Sequence, residues 1–138
     1  MTWLAYALIS ALAAAATALL AKRGVEGVPA TLATALRTIV VLILVWVMVW
    51  QTGEGRVLPT LSRRSLIYLA LSGLATGVSW LAYFRALQLG PASRVAPIDK
   101  LSLPLTVFFA ALLLGEAVSW KVWVGVLLMA AGALLTIA

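Results

Sequence analysis

The sequence predicts an all-α integral membrane protein with five transmembrane helices, and three observations carry that prediction. Of its 138 residues, 64% are hydrophobic and only 10% are charged, whereas soluble domains carry about 25% charged and about 45–50% apolar residues. Mean hydropathy is +1.13, which implies more apolar side chain than a small globule has interior to hide. The apolar residues also fall into five runs of roughly 20 residues, the length that crosses a ~30 Å hydrocarbon core. Only short connectors remain, so a soluble enzyme is excluded. Ten Lys and Arg against four Asp and Glu give +6, but these charges are scattered between apolar runs. They form no basic face, which argues against a nucleic-acid partner. The chain has no Cys and no His, which removes disulfides, thiol chemistry, structural zinc and a catalytic histidine. No metal or cofactor is expected.

The first span runs from about Thr2 to Ala21 and stops at Lys22-Arg23. No basic segment precedes it, so it is expected to stay in the mature protein and not to act as a signal peptide. Lys22 to Pro29 is a polar turn with two glycines, and Pro29 suits a helix start. The second span covers residues 30–50, with Thr31, Thr34, Arg37 and Thr38 in its first half. Gln51 to Ser65 reads as the longest loop, holding Gly53, Gly55, Pro59 and three arginines. The third span covers 65–88, and Gly90-Pro91-Ala92-Ser93 breaks it from the fourth, over 95–114. Gly115 to Ser119 separates the fifth span, 120–138. Trp3, Trp50, Trp120 and Trp123 lie near span ends, where indole rings favour the headgroup zone. Trp46 and Trp80 lie deeper, suited to a cavity wall or to lipid contact.

Polar residues inside the spans mark faces that meet protein or water, because lipid supplies little hydrophobic force between helices. In the third span Tyr68, Ser72, Thr76, Ser79 and Tyr83 follow helical steps of four, four, three and four. Beside them lie the helix-packing pair Gly73 and Gly77, then Trp80 and Phe84. Packing explains the glycines, while five hydroxyls on one face suggest the polar wall of a substrate path. The fourth span holds Asp99 and Lys100, groups that cost about 2.5–3.5 kcal/mol each near a helix centre. Adjacent helical residues point ~100° apart, so these two are not expected to be ideal partners. Asp99, Ser102 and Thr106 are expected to share a face, and Arg37 is the candidate counter-charge for Asp99. Pro97 and Pro104 each remove a backbone donor and mark candidate hinges. The fifth span is aliphatic, with Gly125 and Gly132 as packing positions.

Tyr83-Phe84-Arg85-Ala86-Leu87-Gln88-Leu89-Gly90, then Val95-Ala96-Pro97-Ile98, Pro104 and Leu114-Gly115-Glu116 resemble the EamA-type drug/metabolite transporters. The run from Gly125 to Gly132 resembles that family's last helix. Members usually carry ten spans in two five-span repeats, so this chain is similar to the short, single-repeat bacterial and archaeal members. The resemblance implies one repeat of an inverted-repeat transporter fold. It also implies a secondary transporter or exporter of small metabolites, multi-pass in the cytoplasmic (inner) membrane, with a small-molecule solute and the lipid bilayer as partners. Asp99-Lys100 is more charged than the residues expected after Ala-Pro in the long members.

An odd span number puts the termini on opposite sides, so a second copy can rebuild the inverted pair as an antiparallel homodimer. The loop charges permit it: Arg56, Arg63, Arg64 and Lys121 on one side face Lys22, Arg23 and Arg94 on the other. The expected mechanism is alternating access, with Asp99 the main ionisable group and spans two to four lining the path. A non-transporting assembly or regulatory subunit is the rival reading, although it needs neither the hydroxyl face nor the charges. A four-span small multidrug exporter is weaker, because those proteins rely on a glutamate in the first span and this one has no acid there.

Overall fold

The computed structural model describes residues 2–138, and no strand occurs among the described residues. In chain order the elements are α1 (Trp3–Gly24), α2 (Ala30–Thr52), a 3-10 helix (Glu54–Thr60) and α3 (Arg63–Leu89). Then come α4 (Ala92–Asp99), α5 (Ser102–Leu113) and α6 (Trp120–Leu135). Three of these helices, and the run Ala92–Leu113 taken together, are long and apolar enough to cross a membrane. At 1.5 Å per residue the 22 residues of α1 reach ~33 Å. With 16 residues α6 reaches only ~24 Å, short of a ~30 Å core. The expected fifth span, 120–138, is therefore a shorter apolar helix, which stops at Leu135 with Thr136 as its C-cap.

Helix ends follow from local chemistry. Pro29, extended at ψ 134°, starts α2 and accepts the first turn's hydrogen bond from Ala33 N–H. Gly53 ends α2 at φ +72°, donating to the Trp50 carbonyl; only glycine holds this left-handed C-cap without strain. The expected loop over 51–65 is mostly helical, because the 3-10 helix fills Glu54–Thr60. Ser62 Oγ accepts the Ser65 N–H at 3.0 Å and so caps α3.

The fourth span, expected to yield at its prolines, is two helices in the structure. It breaks between α4 and α5, at Lys100-Leu101, between the two prolines. Pro104 has no N–H to return to the Lys100 carbonyl. That carbonyl instead accepts from Leu103 N–H at 2.9 Å, while Leu101 N–H reaches Ile98 O at 3.0 Å. Tight i to i+3 bonds thus replace the α-helical ladder at the break.

The chain forms two compact units, residues 21–88 and the residues before Ala21 with 89–138. In the second of these, α6 packs on both α4 and α5, and its buried positions are Val126 and Ala133, seven residues apart. In the first, the described buried side chains are Val25, Thr34, Phe84 and Leu87. Two long-range contacts fasten the α1–α2 connector there. Lys22 Nζ donates to the Leu87 carbonyl at 2.6 Å, placing a cation on the negative end of α3. Gln88 Nε2 donates to Val28 O at 2.6 Å and reaches Val25 O at 3.5 Å. Arg85 Nη1 holds the other end of that amide, donating to Gln88 Oε1 at 3.0 Å.

Gln88→Ala removes this clasp. The substitution is expected to cost about 1 kcal/mol, the net worth of a part-buried hydrogen bond. It should also speed amide exchange across residues 25–28 in micelles. Unchanged exchange there would mean that Lys22 holds the connector alone.

Candidate functional site

Arg37 lies two turns into α2, where a guanidinium must find a partner in a low-dielectric setting. The structure supplies aromatic rings. Its Cζ sits 4.0 Å from the Trp80 ring centroid and 5.5 Å from that of Phe84. Trp80 and Phe84 are four residues apart on α3, so their rings stack along one face. Phe84 is only 2% exposed, which fixes the lower ring in place. A cation over aromatic faces is worth about 2 kcal/mol or more when desolvated. The described partners of Arg37 are thus two aromatic rings of α3. Next to it, Thr34 and Thr38 donate to the Ala30 and Thr34 carbonyls at 2.8 Å. Those hydroxyls are satisfied by their own helix.

Along α3, Tyr68, Ser72, Thr76 and Ser79 are exposed and Tyr83 is half-buried. Thr76 Oγ1 donates to Ser72 O at 2.9 Å, which satisfies its hydrogen and leaves its lone pairs open to a donor. Arg64 extends over the Tyr68 ring at 5.7 Å. A Cβ built on Gly73 or Gly77 would meet nothing within 4 Å, and the same holds at Gly125 and Gly132 of α6. These small positions face open space within the single chain.

At the break in the fourth span, Asp99 and Lys100 form an ion pair, Nζ to Oδ2 at 3.2 Å. The sequence argument had set them ~100° apart. That argument assumed a continuous helix, and α4 ends at Asp99 with Lys100 already its C-cap. At the helix end the long Lys100 side chain reaches back to its neighbour. Their side chains stay 34% and 54% exposed, Asp99 the less so. The shared face expected for Asp99, Ser102 and Thr106 is also interrupted, since the last two belong to α5. Thr106 Oγ1 donates to Ser102 O at 2.7 Å. Pro97 lies inside α4 and Pro104 in the first turn of α5. No acid or histidine cluster able to hold a metal occurs among the described residues.

Two contributors escaped the sequence reading. Gln88 was seen only as part of a familiar run, and its amide clasps a connector 60 residues away. Phe84 was noted beside Trp80, but not as the second ring under Arg37. The i, i+4 spacing of Trp80 and Phe84 was the available signal; nothing local marks Gln88.

The chain matches the EamA-like transporter family over residues 1–138. It is 49% identical over 134 residues to an uncharacterized transporter in cobO 3'region from Sinorhizobium sp., a match covering 97% of this chain and 95% of that relative. No solved structure matches the chain. The apolar helices fit a multi-pass membrane protein, and the family is one of transporters, not an enzyme class. The resemblance read from Tyr83 to Gly132 therefore extends to the whole sequence: this chain belongs to the EamA-like transporter family, in its short single-repeat form.

Proposed function

We propose that the protein is a secondary transporter or exporter of small metabolites across the cytoplasmic membrane, working by alternating access. Five spans per chain, with α6 as the short fifth, assemble as an antiparallel homodimer. The observation that carries this reading is the helix broken at Asp99-Lys100 between Pro97 and Pro104. Transporters of the inverted-repeat type bind substrate and coupling ions at discontinuous helices, where unwound backbone and half-helix ends are exposed. A subunit that merely assembles has no use for a charged break in a span. Asp99 is the main ionisable group, Lys100 its charge partner, and the prolines are the places where the helix yields. Ser102 and Thr106 add hydroxyls next to the break.

The polar side of α3, with Ser72, Thr76, Ser79 and Tyr83, is the wall along which a hydrated or hydrogen-bonding solute passes. Arg37 on Trp80 suits an anionic group on that solute. Rings stabilise a guanidinium without neutralising it, so its in-plane donors remain able to take a carboxylate or phosphate.

Solute flux is the deciding measurement. Purified protein in liposomes should accumulate a small metabolite against a gradient. Asp99→Asn should abolish that accumulation while downhill exchange persists, if the carboxylate carries the coupling proton. Should Asp99 serve only to neutralise Lys100, the single variant will fail to insert and Asp99→Asn with Lys100→Gln will restore expression. Wild-type transport by Asp99→Asn at every pH removes the residue from the mechanism, and no flux from the unaltered protein favours the assembly-subunit reading.

Cysteine labelling tests the α3 wall in a chain with no native Cys. Cysteines at Ser72, Thr76, Ser79 and Tyr83 should react with water-soluble thiol reagents faster than those at Leu71, Leu74 and Val78. The latter three are exposed in the single chain too, so equal rates would assign both faces to the same environment and remove the path.

Topology reporters address the dimer. C-terminal fusions active on only one side of the membrane should both give signal, because the loop bias is four against three. Signal on one side only, at native expression, leaves a parallel dimer or a fixed partner.

A further inference from the structure

At the C-terminal end of α2 the chain forms an open pocket of about 400 Å³, lined by Trp46, Val49, Trp50, Gly53, Gly55 and Arg56. Trp46 and Trp50 are four residues apart and so stand on one helix face. Gly53, in its left-handed conformation, turns the chain back across that face. Gly55 then comes close enough that a Cβ there would meet Val49 Cγ1 at 3.7 Å. The 3-10 helix is thereby held against α2, and Arg56 is carried to the mouth of the pocket. The result is a site with two indole walls, a small floor and one cationic rim.

We propose that this pocket is a binding site for an anionic phospholipid, with the headgroup phosphate on Arg56 and the upper acyl chain along Trp46 and Val49. Three features select a lipid over a soluble anion. First, α2 has 23 residues, ~35 Å of helix, so its last turn emerges at headgroup depth when the apolar stretch fills the core. Second, Trp50 is 82% and Trp46 54% exposed, one at the interface and one a turn deeper, where acyl chains begin. A soluble phosphate has no use for the lower ring. Third, Arg56 is the one charged residue lining the pocket, at the end of a span where positive charge favours anionic headgroups. Guanidinium forms bidentate pairs with phosphate oxygens, which gives Arg56 geometric selectivity that a diffuse charge lacks. The site uses none of the groups assigned to transport and depends only on α2 spanning the bilayer.

Native mass spectrometry of the purified protein in detergent tests it, using phosphatidylglycerol and phosphatidylcholine as probes. Phosphatidylglycerol should be retained over phosphatidylcholine, and Arg56→Gln should reduce that retention about fivefold, the effect of one basic residue near a headgroup. Arg63→Gln, which removes the same charge outside the pocket, should leave retention within about twofold. Trp46→Ala should weaken retention of long-chain phosphatidylglycerol while sparing a dihexanoyl analogue. Equal losses from Arg56→Gln and Arg63→Gln would overturn the proposal in favour of general charge attraction. Competition by millimolar glycerol phosphate would overturn it in favour of a soluble anion. Circular dichroism of each variant in detergent separates loss of lipid from loss of helix, and Arg56→Lys supplies a folded variant that keeps the charge but not the bidentate fork.

Discussion

Hydrocarbon offers no hydrogen bonds, so each backbone N–H and C=O within it needs a partner inside the protein. Helix interiors meet that demand automatically; their ends and breaks do not. The features that give this chain its character occur where the demand is hardest to meet. Leu87, whose side chain is fully buried, has its terminal carbonyl met by the Lys22 ammonium. Val28 O, in a connector that must close tightly, is met by Gln88. The Lys100 carbonyl, deprived of a donor by Pro104, is met by Leu103 one residue early. Each solution uses a different chemistry, and each sits at an edge of a span or at the interruption inside one.

The same constraint governs charge. A cation near the bilayer core needs company, and three kinds appear here. Lys22 uses a helix carbonyl, Arg37 two aromatic rings, and Lys100 a carboxylate. These are not equivalent for function. The ion pair offsets the charge it stabilises and the carbonyl occupies one ammonium donor, whereas rings leave a guanidinium's edge donors available. Arg37 is thus the cation of the three whose stabilising contacts leave its edge donors open. The ion pair at Asp99-Lys100 is the arrangement best disposed to change, since its members are exposed and neither belongs to a helix interior.

The helical elements were legible because their signal is a long apolar run. The starts of α2 and α6 fell at the predicted residues, Ala30 and Trp120, where Pro29 and Ser119 mark them. The two prolines of the fourth span point to an interrupted helix, but the position of the break at Lys100-Leu101 is not legible, because hydropathy is blind to hydrogen-bond register. Helical spacing alone makes Asp99 and Lys100 poor partners, and their ion pair at the end of α4 is not legible from it. Composition also overstated α6, because Ile137 and Ala138 remain apolar after the helix has ended at Leu135. At the candidate site, the residue types were legible and their partners were not. A guanidinium in a span invites a carboxylate on paper; that it rests on Trp80 and Phe84 depends on how α2 and α3 meet, which no local pattern encodes.

What exposure means also changes with the solvent. In water, the long series of exposed Leu, Val, Ile and Trp side chains on these helices would demand a partner, as contiguous apolar patches do. In lipid it demands nothing, because acyl chains are as apolar as leucine. The informative exposure here is polar. Ser72, Thr76 and Ser79 on α3, and Lys100 at the break of the fourth span, are exposed in the single chain. Lipid is a poor neighbour for hydroxyls and a worse one for an ammonium. Water or protein must cover them. Gly73 and Gly77, open beside those hydroxyls, would let another helix approach closely, while the serines and threonine beside them would hydrogen-bond across the contact or face a water-filled cleft. Polar surface on α3 and at the break of the fourth span is therefore where water or another protein surface, and not lipid, has to stand.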